Sequence, residues 1–260
     1  MTNTKIKLAI GISMAILLVS GAATAVLSSD FSGDSLSSGQ ICENARAKYA
    51  SLASYSDEGQ IVATMNNTAI TTTFTIRLAR TNFYRIEWQQ SIESAYATNN
   101  TQVQAVWSLG MGSHLETGYG LHNEESREIA LAKAGEISGG AAGTIPRTFF
   151  STQWGDQLDG SGLNQNRQSD EKVGDIDCYV ISRELQGRTK TIWIGKHDFL
   201  IHQVRTFTTA EAMQAMMLKV TNGNYEMNSD IHSFTSTETH ANIVLNPQFS
   251  RSDFIPSSGE

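Results

Sequence analysis

From Ile70 to Leu78 the apolar residues Ile70, Phe74, Ile76 and Leu78 alternate with Thr71, Thr73, Thr75 and Arg77, the two-residue period of a strand with one buried and one wet face. After Arg80-Thr81-Asn82 the period resumes, with Tyr84, Ile86 and Trp88 set against Arg85 and Glu87, which predicts the return strand of a hairpin. Residues 57–65 read as a weaker strand before this pair. Val103, Ala105, Trp107 and Leu109 repeat the period once more and end at Gly110 and Gly112. Four antiparallel strands in sequence form a meander. Ahead of them, Ile41, Cys42, Ala45, Tyr49 and Leu52 recur at helical spacing between Gln40 and Tyr55, with Ser37 or Ser38 available as a cap. An amphipathic helix lying on the sheet is expected there.

The pattern then changes. Asn123, followed by Glu124 and Glu125, carries the capping residue and early acids of a helix that runs to Ile137 and stops at Gly139-Gly140. A second short helix is expected from Pro146 through Phe149, Phe150 and Trp154. Residues 155–172 hold hardly an apolar side chain and read as a mobile loop whose deletion should be tolerated. Strands return at 177–185, 189–195 and 199–208 as a second meander. A short helix at Glu211–Val220 contains Met213, Met216 and Met217, and one or two more strands are expected around 230–245. Helices interrupting a long antiparallel series predict an α+β domain with a curved sheet and helices gathered on one face.

The N-terminus changes the compartment. Lys5 and Lys7, the apolar run from Leu8 to Val19 and the closing Ala23-Thr24-Ala25 form a secretory signal peptide, with cleavage expected after Ala25. Cleavage leaves 235 of the 260 residues, of which 26–38 are a Ser- and Gly-rich flexible leader and 39–260 a single domain. The net charge of −7 becomes −9, because the signal carries two lysines and no acid. That balance disfavours nucleic acid or an anionic membrane as a charge-held partner, and no stable membrane insertion is expected after cleavage. Export also leaves Cys42 and Cys178, the only cysteines, two options: a disulfide closing a long loop, or two buried thiols.

The order of these pieces resembles the LolA-like superfamily, the fold of the periplasmic lipoprotein carriers. The residues that carry the resemblance are Arg80-Thr81-Asn82-Phe83-Tyr84-Arg85 with Trp88, the strand Ala105-Val106-Trp107-Ser108, and Ile192 to Gln203 with its Gly195 turn and Ile-His-Gln ending. The closing Asn246-Pro247-Gln248-Phe249 and Phe254-Ile255-Pro256 add to them. Ser138-Gly139-Gly140 with Ile145-Pro146-Arg147, and Asp177-Cys178-Tyr179-Val180, bring the chain nearer to exported LolA-like proteins of unassigned function. Thr81 stands where the carriers have proline, and Leu109-Gly110-Met111 where they have Asp-Gly-Lys. The resemblance implies a half-barrel sheet whose concave face is covered by helices, periplasmic localisation, and a hydrophobic ligand such as a lipid or the acyl chains of a lipoprotein. The RseB-like relatives imply an alternative, an envelope sensor or scaffold that binds another protein.

On that reading Phe74, Tyr84, Trp88, Trp107, Phe149, Phe150 and Trp154 line or cover a cavity, with Met213, Met216 and Met217 adapting to the ligand. Arg80 matches the arginine that in the carriers holds the lid by hydrogen bonds. An enzyme is not expected, since there is no Gly-x-Ser-x-Gly elbow, His-Glu-x-x-His pair or phosphate-cradling loop; an unrecognised hydrolase is the remaining alternative. His114, His122, His197, His202, His232 and His240 are dispersed and read as surface or structural residues. No cofactor or metal is expected.

Overall fold

The computed structural model describes residues 36–65, 68–80, 82–93, 98–151, 158, 165–220 and 233–256. The expected signal peptide, most of the leader and Trp154 lie outside them. Helix α1 (Ser38–Ser51) opens the domain, and Ser37 caps it reciprocally with Gln40: Ser37 Oγ accepts from the Gln40 N–H, and Gln40 Oε1 from the Ser37 N–H. Its buried stripe is Ile41, Cys42, Ala45 and Tyr49. The helix stops short of the expected Tyr55, because Arg80 draws off the carbonyls of Tyr49, Ala50 and Leu52 and Ser54 already belongs to a strand.

The strands are β1 (Ser54–Met65), β2 (Thr68–Ala79), β3 (Phe83–Glu93), β4 (Thr98–Asn100), β5 (Gln104–Leu109), β6 (Ser113–Thr117) and β7 (Gly120–Glu124). After α2 (Arg127–Ile137) and α3 (Ile145–Phe150) come β8 (Gln165–Arg167), β9 (Glu171–Val173), β10 (Ile176–Leu185), β11 (Arg188–Gly195) and β12 (Ile201–Thr209). Helix α4 (Ala210–Val220), β13 (Ser233–Leu245) and a 3-10 turn at Arg251–Phe254 complete the chain. Among the described residues the 13 strands form one sheet, in the order β7-β6-β5-β3-β2-β1-β13-β12-β11-β10-β8, with β4 beside β3 and β9 beside β10. Every pairing is antiparallel. The expected α+β class, a long antiparallel series under helices, is the one that folds.

Two meanders meet where β1 pairs with β13, from Tyr55 opposite Leu245 to Met65 opposite Phe234. Between Ser56 and Glu58 the register shifts and β13 carries an extra residue, with Asn242 at φ 52°. A second shift falls at Trp193/Ile194. Such bulges bend a sheet. Toward the helices β1 turns Tyr55, Asp57, Gly59 and Ile61, β2 turns Thr72, Phe74, Ile76 and Leu78, and β3 turns Tyr84, Ile86 and Trp88. Helix α1 packs on α3, α3 on β2, and α2 on β5 and β6. Each large apolar side chain sealed in this layer contributes about 1.5–3 kcal/mol.

Three expectations fail locally. Asn123 and Glu124 lie in β7, and α2 begins only at Arg127, where Ser126 Oγ caps the Ile129 N–H at 3.2 Å. The preceding hairpin has too few apolar positions to show a period. Strands β8 and β9 occupy part of the expected loop 155–172, again as short polar pieces at an edge. Helix α3 ends at Phe150, with Ser151 left-handed at φ 51°, and does not reach Trp154.

Gly59 faces His240 on one side and Phe74 on the other, and a Cβ there would overlap the Phe74 ring and the Thr239 carbonyl. Gly59→Ala should lower stability by about 1–3 kcal/mol in urea unfolding, the cost of overpacking a closed core. An unchanged midpoint would mean that the central pairing is looser than described.

Candidate functional site

The aromatic residues of β2 and β3 meet those of α3 between sheet and helices. Phe74, Tyr84, Trp88, Phe149 and Phe150 belong to one buried cluster, each at most 9% exposed. Tyr84 and Phe150 stand edge to face at 5.9 Å, and Phe149 and Phe150 at 5.0 Å, geometries that aromatic quadrupoles favour. Burial pushes the Tyr84 hydroxyl up to about 12. The Trp88 indole N–H is enclosed with no hydrogen-bond partner among the described residues, which is costly in an apolar layer.

Arg80 ties this cluster to α1. Its guanidinium donates to the carbonyls of Tyr49 at 2.8 Å, Leu52 at 3.0 Å and Ala50 at 3.3 Å, and lies 4.1 Å from the Phe149 ring centre. A cation at a helix C-terminus is favourable, and a guanidinium stacks on an aromatic face. One residue, just past the end of β2, thereby holds the end of α1 and the face of α3 together. Arg127 of α2 lies over Phe150 at 4.4 Å in the same manner.

The remaining sequence candidates lie elsewhere. Trp107 faces away from the helices, with its ring 5.3 Å from His114, because β5 turns Val106 and Ser108 inward and so Trp107 outward. Met213 and Met216 sit on α4, which packs on β12 and β13, and Met216 is 44% exposed; neither joins the aromatic cluster. Met217 is placed in the same helix by its backbone. No disulfide joins Cys42 and Cys178. Cys42 takes a hydrogen bond from Arg183 on the helix side of the sheet, whereas Cys178 packs with Val180 and Trp193 in a separate cluster, and successive residues of β10 point to opposite faces. The thiol reading is the one the structure takes, and burial pushes the Cys178 thiol up to about 11.

Sequence reasoning missed a buried ion cluster beside the aromatics. Asp57 Oδ2 accepts from Tyr55 Oη and from His240 Nδ1, both at 2.7 Å. His240 Nε2 lies 3.2 Å from Glu238 Oε1, and Glu238 Oε2 accepts from Thr144 Oγ1 at 2.6 Å. The Asp57 and His240 side chains are 0% exposed, so of the two readings of His240, surface or structural, the surface one does not hold. Burial alone would drive the imidazole neutral, but the Asp57 charge and hydrogen bond, with Glu238, hold its pKa up at about 10. Lys190 approaches from β11, and burial brings its ammonium down to about 8 against the pull of Glu238. His202 is likewise enclosed, 2.9 Å from Asp198 in the Gly195 turn. Only the pairing of β1 with β13 unites Asp57 with His240; a His two residues after a Glu in a Thr-rich strand was the one visible sign.

Among the described residues no group of His, Cys, Asp and Glu is arranged to hold a metal ion. An open depression of about 470 Å³ on the sheet is bordered by Glu58, Thr73, Thr75, Glu87, Gln89 and Val103, and its lining includes Gly59, Phe74 and Trp88.

No family model and no curated protein matches the chain. Solved structures to which it is similar include the following three. A DUF1329 family protein from Desulfovibrio piger aligns at 11% identity and TM-score 0.38, over 86% of this chain and 98% of that one. LprF from Mycobacterium bovis aligns at 9% and 0.43, over 82% and 94%. MucB aligns at 10% and 0.43, over 84% of this chain and 62% of its own. What the layer between sheet and helices can bind follows from its own residues.

The His240 shift carries a sign. Its folded pKa lies above the unfolded value of about 6.5, so its stabilisation is complete below that pH and is lost as pH rises toward 10. Lys190, depressed to about 8, opposes the loss from there upward. Between about pH 6.5 and 8 stability should therefore fall by up to about 1.4 kcal/mol per pH unit, the slope of one proton, and His240→Gln should abolish that slope in denaturant titrations. A wild-type profile flat over this range would contradict a charged His240. Thiol titration should find two reactive thiols in the denatured protein and none in the native one; no thiol after denaturation would restore the bridge.

Proposed function

We propose that this protein is a non-catalytic binding protein that holds the hydrophobic part of a lipid, or the acyl chains of a lipoprotein, between its sheet and helices. The observation that carries the reading is the set Phe74, Tyr84, Trp88, Phe149 and Phe150, gathered in one layer and roofed by a single short helix. A ligand that parts this roof replaces aromatic contacts with its own methylenes, each worth about 0.8 kcal/mol when buried. The Trp88 N–H, without a partner among the described residues, suits an ester or amide oxygen at the ligand's polar end. Arg80 couples the two helices that must move together, so its hydrogen bonds to α1 set how readily the layer opens.

An exported, periplasmic location is part of the proposal and rests on the N-terminal sequence. Among the described residues no helix is long and apolar enough to cross a membrane. Binding is favoured over catalysis because the charged groups at the layer are consumed by one another: His240 stands enclosed between Asp57 and Glu238. A second reading, a sensor or scaffold for another envelope protein, is favoured by Tyr119 and Met111, which are 96% and 87% exposed beside the β6–β7 hairpin.

Native mass spectrometry with lipid extraction, on protein purified without detergent from the cells that make it, tests the proposal. The expected result is a mass excess released as acyl lipid and reduced in Arg80→Leu. Lipid-free wild-type protein would overturn the lipid reading and leave the protein partner.

A further inference from the structure

We infer that two copies of this chain join edge to edge through β7, antiparallel and related by a two-fold axis at His122, so that their sheets run on as one. The inference concerns the border of the sheet and stands whatever the aromatic layer binds.

The two ends of the sheet are finished unequally. At one end β8 is covered. Arg167 donates to the Leu36 carbonyl at 2.8 Å and holds Asp170, which Lys196 also grips, while the Ser38 hydroxyl reaches the Gln165 carbonyl at 3.3 Å. At the other end β7 pairs with β6 alone. Thr117 faces Gly120 across a two-residue loop, so the ladder turns the backbone groups of Gly120, His122 and Glu124 toward β6 and those of Leu121 and Asn123 outward. Among the described residues these outward N–H groups and carbonyls have no backbone partner, and Gly120 to Asn123 are exposed. Native edges are commonly blunted by lysine, proline or a bulge. The stretch from Gly120 to Glu124 contains none of them.

A two-fold at His122 uses every one of those groups. Leu121 of each copy then lies opposite Asn123 of the other, and each such pair exchanges both of its N–H···O bonds. The helix beside the edge fits the same symmetry. Ile129, Lys133 and Ile137 stand at four-residue spacing on one face of α2, with Ile129 36% and Ile137 40% exposed, and Leu121 of β7 is 58% exposed. This face looks over β7, because Lys133 Nζ reaches Glu124 Oε2 at 2.6 Å while more than half of the lysine side chain stays in solvent. Glu125 lies exposed at the corner into the helix, about one turn before Ile129. The two-fold reverses α2 in the second copy, which brings Ile129 toward Ile129 and Lys133 toward Glu125. A stripe that reads acid, apolar, base is its own complement when turned end for end. That singles out a second copy over an unrelated strand, and such self-complementary two-fold contacts are the commonest way in which soluble chains pair.

Sedimentation of the whole mature chain over a range of concentrations tests this. The wild type should convert reversibly from monomer to dimer as concentration rises. Leu121→Pro removes an outward N–H and no bond to β6, a place where an edge strand tolerates proline. It should raise the dimer dissociation constant about tenfold or more, since the bond is lost in both copies, and leave the far-ultraviolet circular dichroism unchanged. Glu125→Lys sets two cations against each other and should weaken the dimer likewise, and adding Lys133→Glu should restore it. As a second readout, mild oxidation should link two copies of the His122→Cys variant. Residues facing each other on the axis bring their Cα atoms to about 4.5 Å, within the span of a disulfide, whereas the wild type, with Cys42 and Cys178 buried, should stay unlinked. A monomer at every concentration, a dimer indifferent to Leu121→Pro, a His122→Cys variant that does not cross-link, or a different protein held on β7 in place of the second copy would overturn the inference.

Discussion

An imidazolium sealed between two carboxylates, in the middle of an otherwise apolar layer, is the constraint around which the rest of the molecule is arranged. Charge in such surroundings is expensive unless every member is held by another. The chain meets that demand by pairing its first strand with its last. His240 then lies across from Gly59, and Glu238 across from Ile61. Gly59 supplies the space, since no side chain stands between His240 and Phe74, whose rings meet edge to face at 5.5 Å. A slip of one residue would carry His240 and Glu238 to the wet face and bring Thr239 inward. Register and charge therefore specify one another.

The same cluster explains why the two layers are joined unevenly. Helix α1 is bound to the sheet through Arg80, which meets three of its terminal carbonyls. Helix α3 is bound through aromatic stacking and one hydroxyl. The opposite face is finished differently: Arg77 and Arg85 both reach the Asp253 carbonyl, and Phe254 packs on Phe83 at 5.4 Å. The C-terminal turn thus stiffens β2 and β3 from behind. What can move is consequently the helix side.

Much of this architecture was legible where burial is one-sided. The stripe Ile41, Cys42, Ala45, Tyr49 and the alternation along β2 and β3 predicted both the elements and the faces they bury. The aromatic set was legible as residue types, but Trp107 was assigned to the wrong face, because β5 buries Ala105 as well as Val106 and its apolar period does not say which side the helices take. Strands β7 to β9 are short and polar at the sheet's two ends, where ladder hydrogen bonds hold them with little apolar surface, and so left no period to read. The ion cluster was hidden for a deeper reason. Both faces of β13 are polar in composition, with Ser236, Glu238 and His240 on one side and Thr235, Thr237 and Thr239 on the other, so alternation cannot separate inside from outside. Only the long-range partner does, and the Glu238-x-His240 spacing by itself does not say which face is inside.

The pairing of first and last strands also fixes when the molecule can become whole. Asp57 and His240 are 183 positions apart, so a growing chain completes its first meander long before the strand that neutralises Asp57 exists. Until then β1 presents a 12-residue edge with a carboxylate on its inner face, and contacts between such distant positions form slowly. An exposed edge of that length invites pairing with another chain. A chain ending before Ser233 would be two sheets with open borders, and its first half would depend on whatever keeps nascent polypeptides apart until the final strand arrives.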